Sequence, residues 1–138
     1  ISMSSIALSK AFLVNIKDRP DNTRPGPDGK RSVTGVPNAP VITTAKGTTR
    51  FLGREDEGAG PWVYYSERPK GDVIPMHRHG ANRTEFLIEG KIEWRERGKE
   101  PKIYEAGTLS YVEAGVIYGY EVLEDAKILI IFDEAPGI

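Results

Sequence analysis

Gly71-Asp72-Val73-Ile74-Pro75-Met76-His77-Arg78-His79, running on through Arg83 and Glu85 to Glu89-Gly90, is the stretch whose reading decides the fold. His77 and His79 are the two histidines of this 138-residue chain, and they stand one residue apart. On a strand, residues two apart point to the same face. Both imidazoles would then face inward with Arg78 facing out, and two imidazoles side by side make half of a metal site.

The surroundings of that stretch read as many short strands. Candidates are Val41–Thr44, Thr49–Gly53, Trp62–Glu67, Val73–His79, Thr84–Glu89, Lys91–Arg97, Lys102–Tyr104, Thr108–Val112, Tyr118–Leu123 and Lys127–Phe132. Gly, Pro, Asn or Asp punctuate most of the gaps. Glu89-Gly90-Lys91 reads as a tight bend between two strands, and Glu124-Asp125 as a hairpin turn. Ser4–Leu13 is the one stretch that reads as a short helix. Short strands at regular spacing predict an all-β sandwich or barrel.

Residues 1–40 read differently. Pro20, Pro25, Pro27, Pro37 and Pro40, with Gly26, Gly29 and Gly35 among them, forbid a long helix or a central strand. We expect an irregular N-terminal arm over 1–40, lying across the domain or a partner subunit, and a β-barrel over 41–138.

Composition narrows the chemistry. The 19 Lys and Arg nearly balance the 20 Asp and Glu, so nothing advertises nucleic acid or an anionic membrane as partner. No apolar run approaches the roughly 20 residues of a membrane span. No secretory signal is visible, and the leading Ile1 reads as the start of a chain already trimmed or carrying a cloning scar. The chain has no cysteine, which fits a cytoplasmic protein and removes disulfides, thiolate ligands and a Cys nucleophile. Any metal must be held by imidazole, carboxylate, phenolate or water, which points away from structural zinc. There is no Walker-type loop and no Rossmann glycine fingerprint.

With these residues in hand, the chain resembles the cupin superfamily. Its first motif reads Gly, five residues, His-x-His, three or four residues, Glu, six residues, Gly. Gly71, His77, His79 and Gly90 stand in that register. The second motif reads Gly, five residues, Pro-x-Gly, two residues, His. It is matched by Gly107, by Glu113-Ala114-Gly115 with Glu in place of Pro, and by Tyr118 where the histidine would be. The family's glutamate position holds Arg83, with a carboxylate two residues on at Glu85. The resemblance covers about residues 60–132. It implies a single-domain jelly-roll barrel (a double-stranded β-helix) with a metal near one mouth. The usual shell of three histidines and one glutamate is out of reach, because there is no third histidine.

Each candidate residue has two readings. His77 and His79 are metal ligands, or remnants of a barrel that lost its metal. Glu85 is the third ligand, displaced from its usual place, or the ion-pair partner of Arg83. Unliganded, it becomes a candidate general base with a raised pKa. Tyr118 is a core aromatic, or a phenol that ligates, donates a proton or steadies an oxyanion. Arg83 is a solvated strand end, or a fork for a substrate carboxylate. Tyr64 and Leu87 are core residues, or walls of the substrate pocket.

The leading expectation is therefore a metal-dependent enzyme on a small organic substrate. His77, His79 and Glu85 would hold Fe, Zn, Mn or Ni, and Tyr118 and Arg83 would face the substrate. Ferrous iron on two histidines and a carboxylate would suit a dioxygenase. Zinc, manganese or nickel would polarise a carbonyl for a lyase, isomerase or cyclase. Two alternatives stand beside it: a metal-free acid–base enzyme using Tyr118 and Glu85, and a non-catalytic small-molecule-binding cupin. Cupins of this size commonly pair through edge strands, so a homodimer is expected.

Overall fold

The computed structural model describes residues 13–21, 31–32, 41–42, 46–53 and 61–134. Nine strands run in chain order: β1 (Arg31–Ser32), β2 (Val41–Ile42), β3 (Thr48–Phe51), β4 (Trp62–Arg68), β5 (Val73–His77), β6 (Arg83–Glu96), β7 (Lys102–Glu105), β8 (Leu109–Val112) and β9 (Tyr118–Phe132). The two-residue strands β1 and β2 pair with each other: β2 falls within the expected strand Val41–Thr44, and β1 is a strand that the prolines of 1–40 did not predict. The other seven form one antiparallel sheet. The described residues are all-β apart from a single 3-10 turn at Ile16–Asp18, capped by Asn15. No helix among them is long and apolar enough to cross a membrane.

The sheet folds over into two layers because two strands are long enough to belong to both. One layer takes β3, β4, the second half of β9, the first half of β6, and β8. The other takes β5, the first half of β9, the second half of β6, and β7. This is the double-sheet jelly roll. The expected break at Glu89-Gly90-Lys91 is a corner inside one strand, and Glu124-Asp125 is not a hairpin turn, since β9 runs straight through it.

Gly90 explains the corner. Its φ is +105°, and a Cβ there would sit 2.6 Å from the Asp125 carbonyl oxygen. Only glycine can bend β6 while it presses on β9 at the same point. The register between the two strands shifts on both sides of Gly90. Accordingly, Arg83, Glu85 and Leu87 face in before the bulge and Ile92 faces in after it, an odd-to-even switch. A one-residue shift moves every side chain to the other face, and the bulge supplies that shift where the strand changes layers.

The core lies between the layers. Ile74, Leu87, Ile92, Val122 and Ile128 are fully buried there, with Tyr64, Tyr118, Tyr120 and Phe132 around them. Most of the expected arm, including all of Ser4–Leu13 but its last residue, lies outside the described residues. The described piece, 13–21, docks on β3. Asp21 accepts from the Thr49 amide at 3.1 Å, Arg19 donates to the Gly53 carbonyl at 3.0 Å, and Arg50 donates back to the Arg19 carbonyl.

Candidate functional site

β5 ends at His77, in register with Tyr118 at the start of β9, after an irregularity between Ile74 and His77. Gly119 makes the close approach possible, because a Cβ there would lie 2.5 Å from the Ile74 carbonyl oxygen. His79 is not on the strand, which stops two residues short of the expected end. Its loop is pinned instead by hydrogen bonds to the β8–β9 turn: Gly115 N–H to the His79 carbonyl at 2.9 Å and Ala114 N–H to Asn82 Oδ1 at 2.9 Å. His79 is 4% exposed, with its ring 5.0 Å from that of Phe132.

The two imidazoles do converge. His77 Nε2 and His79 Nε2 are 3.1 Å apart. His77 Nδ1 lies 2.8 Å from the Pro75 carbonyl oxygen, which only accepts, so Nδ1 carries the proton and Nε2 offers its lone pair. Burial pushes the His77 pKa down to about 4; the Pro75 hydrogen bond works against this, and Arg83 and Arg68 add to the lowering. The ring is neutral at pH 7, as a metal donor must be.

The remaining candidates form a second, separate set. Arg83 is 4% exposed and donates through Nη1 to the Tyr118 phenol and through Nη2 to Glu85 Oε1. The Tyr104 phenol donates to Glu85 Oε2 at 2.9 Å. Glu85, 1% exposed, is thus an ion-pair partner with both oxygens engaged, and does not join the histidines. Both Nη groups of Arg83 are engaged inside the barrel, while its buried Nε has no hydrogen-bond partner among the described residues. Tyr118 packs on His77 on one side, at 4.6 Å between ring centroids, and stacks on Trp94 on the other, also at 4.6 Å. Burial raises its pKa, against a smaller lowering by Arg83, so the phenol keeps its proton. Leu87 is fully buried core, and Tyr64 packs edge-on against Phe132.

The pair is a fair metal half-site. One ion bound to both nitrogens at about 2.0–2.1 Å fits a donor separation of this size. The positions of the two missing family ligands do not add to it: one holds a guanidinium, the other a protonated phenol. Among the described residues no third His, Asp or Glu completes a cluster with the pair.

Sequence reasoning missed a buried polar node beneath the site. Asp72, with no exposed surface, accepts from the Lys46 amide at 2.8 Å, the Gly47 amide at 3.1 Å and Arg68 Nη1 at 3.1 Å. Arg68 Nη2 also donates to Thr49 Oγ1 at 3.3 Å. It ties the start of β3 to the turn before β5. Asp72 directly follows the first motif glycine, but no spacing rule marks it. Sequence reasoning also missed Tyr104, which sits on a short strand with no motif.

Fold and site together define a small antiparallel double-sheet β-barrel protein in which two imidazoles converge. The chain belongs to the cupin family: the cupin domain model matches residues 64–132, which include both histidines and Tyr118. Comparison with curated protein sequences gives no match. Among solved structures, the polyketide cyclase RemF from Streptomyces resistomycificus is 16% identical with a TM-score of 0.65, covering 90% of this chain and 80% of that one. An RmlC-like cupin from Shewanella frigidimarina is 20% identical with a TM-score of 0.56, over 64% of this chain and 77% of its own. KdgF from a Halomonas species is 15% identical with a TM-score of 0.54, over 64% and 82%. At these identities the likeness is one of fold.

Proposed function

We propose that this cupin is an enzyme on a small organic substrate and that His77 and His79 hold a divalent metal for it. The observation that carries the reading is the convergence of the two Nε2 atoms at 3.1 Å, with His77 locked into the donor tautomer by Pro75. A ring N–H held by a backbone carbonyl is the usual support of a metal-binding histidine. A divalent ion there would supply Lewis-acid polarisation of a substrate oxygen.

The chain's own residues contribute the rest. Tyr118, 1% exposed and packed on His77, accepts from Arg83 and retains its own proton, so it is placed to donate that proton to a substrate oxygen. Arg83 and Glu85 act behind Tyr118 and hold its orientation. Two neutral ligands leave most of a metal shell open to substrate and water. With Glu85 engaged elsewhere, the two-histidine, one-carboxylate set that favoured a dioxygenase loses its support. Proton-moving chemistry of the lyase, isomerase or cyclase kind fits the site better.

The test is metal analysis of protein purified without a histidine tag and reconstituted with Zn, Mn, Fe or Ni. About one ion per chain is expected, and it should be lost in His77→Ala. A second reading, a metal-free binding barrel, draws support from the mutually bonded set of Tyr104, Glu85, Arg83 and Tyr118. It would be favoured by a protein that takes up no ion yet melts at a higher temperature with a ligand. The homodimer remains part of our reading, because β5 pairs on one side only among the described residues. Light scattering in solution tests it.

A further inference from the structure

β7 and β8 are edge strands of opposite layers, and between them lies a cleft of about 470 Å³. That volume is within the range of small-molecule sites. Trp94 and Tyr104 form one wall, their ring centroids 6.4 Å apart, and Val112 and Val116 line the cleft with them. The stack of Trp94 on Tyr118 stands between this cleft and His77.

Two polar groups mark the inner part of the cleft. Ser110 Oγ is buried and has no hydrogen-bond partner among the described residues, although it lines the cleft. A buried hydroxyl in that state is costly unless a ligand or water completes it. The Tyr104 phenol gives its proton to Glu85, so its remaining capacity is to accept. At the mouth the charges balance: Lys99 pairs with Glu96 at 3.0 Å, and Lys102 and Glu113 are the other two. Nothing there rewards a strongly charged ligand body.

We propose that this cleft binds a planar, uncharged aromatic molecule carrying a hydroxyl group. The ring stacks against Trp94 and Tyr104, where offset aromatic contact adds to area burial. The hydroxyl accepts from Ser110 Oγ and donates to Tyr104 Oη. The site is distinct from the histidine pair, and its occupancy does not depend on a metal.

The test uses the full chain and 2-naphthol, a flat aromatic with one hydroxyl. The chain has two tryptophans, Trp62 and Trp94. In a Trp62→Phe background the emission therefore reports Trp94 alone. Saturable one-to-one binding that changes Trp94 emission is expected, unchanged in protein treated with chelator. Ser110→Ala, which removes the unpartnered hydroxyl without adding bulk, should weaken binding about tenfold. The proposal is overturned if 2-naphthol saturates no single site, if Ser110→Ala binds as tightly as the parent, or if chelation abolishes binding. That last result would place the ligand at the histidine pair. A protein that takes up no ion on reconstitution yet binds 2-naphthol would sink the metal reading and leave this one standing.

Discussion

Arg83 donates to the phenol oxygen of Tyr118, so the residues standing at two of the family's metal-ligand positions are bonded to each other. The guanidinium's other arm holds Glu85, and Tyr104 holds Glu85 from the far side. What the family motif reserves for a metal shell has here become a closed polar chain through the barrel.

That chain sets the first expected outcome. Arg83→Met leaves Glu85 charged and buried without its cation, which should cost about 3–5 kcal/mol in urea unfolding. Adding Glu85→Leu should recover much of it, because replacing both partners by apolar groups is often near neutral. If Arg83→Met unfolds at the parent's midpoint, the pair is not held as described.

Tyr104→Phe removes one donor from Glu85 and nothing else. About 1–3 kcal/mol of stability should be lost, the cost of a buried acceptor left short. The second loss should be far smaller when Tyr104→Phe is placed on Arg83→Met/Glu85→Leu, since the acceptor is then gone. A double-mutant cycle reads this directly.

His77 makes the metal-free protein sensitive to acid. Its folded pKa, about 4, lies below the ordinary 6.5. Between these values the unfolded chain takes up a proton that the folded one refuses, so stability falls as pH drops from about 6.5 to 4 and no penalty exists above that window. The loss should be on the order of 2–3 kcal/mol for a shift of this size on a mostly buried ring. In chelator, His77→Gln should flatten that part of the pH profile.

Gly90→Ala should destabilise by at least about 1–3 kcal/mol, since a side chain must adopt a left-handed conformation and also clash with the Asp125 carbonyl. Gly98, with φ +81° and open space around it, is the control: the same substitution there carries the backbone cost without the clash, and should cost less.

Asp72→Ala removes a charged acceptor from the Arg68 guanidinium and from two backbone amides at once. A loss of about 3–5 kcal/mol is expected. Hydrogen exchange should then speed up first at Lys46 and Gly47, whose amides point at the lost carboxylate.

The paired histidines, the flanking glycines Gly71, Gly90 and Gly107, and alternation within strands made the barrel legible. These are local signals: a turn demands glycine, and a strand face has period two. The same local reading cut β6 and β9 in half. A glycine that bends a strand and one that ends it look alike along the chain, and only the partner strand crossing at Asp125 tells them apart. The site was legible as a set of residues but not as a set of contacts. Glu85 was equally eligible for a metal or for Arg83.

By itself, then, the sequence determined the fold, because its glycine positions and strand alternation follow from residue type and spacing; it set the two histidines close together, but His79 lies past the end of β5 and its loop is held by the β8–β9 turn. The tertiary structure alone decided which charges meet. Glu85 meets Arg83 two residues back on β6 and Tyr104 on the neighbouring β7, and Tyr118 lies between His77 and Trp94, because β5, β6, β7 and β9 meet in one small interior. There, a charge without a partner is expensive, and the packing of strands, not their order, chooses the partner.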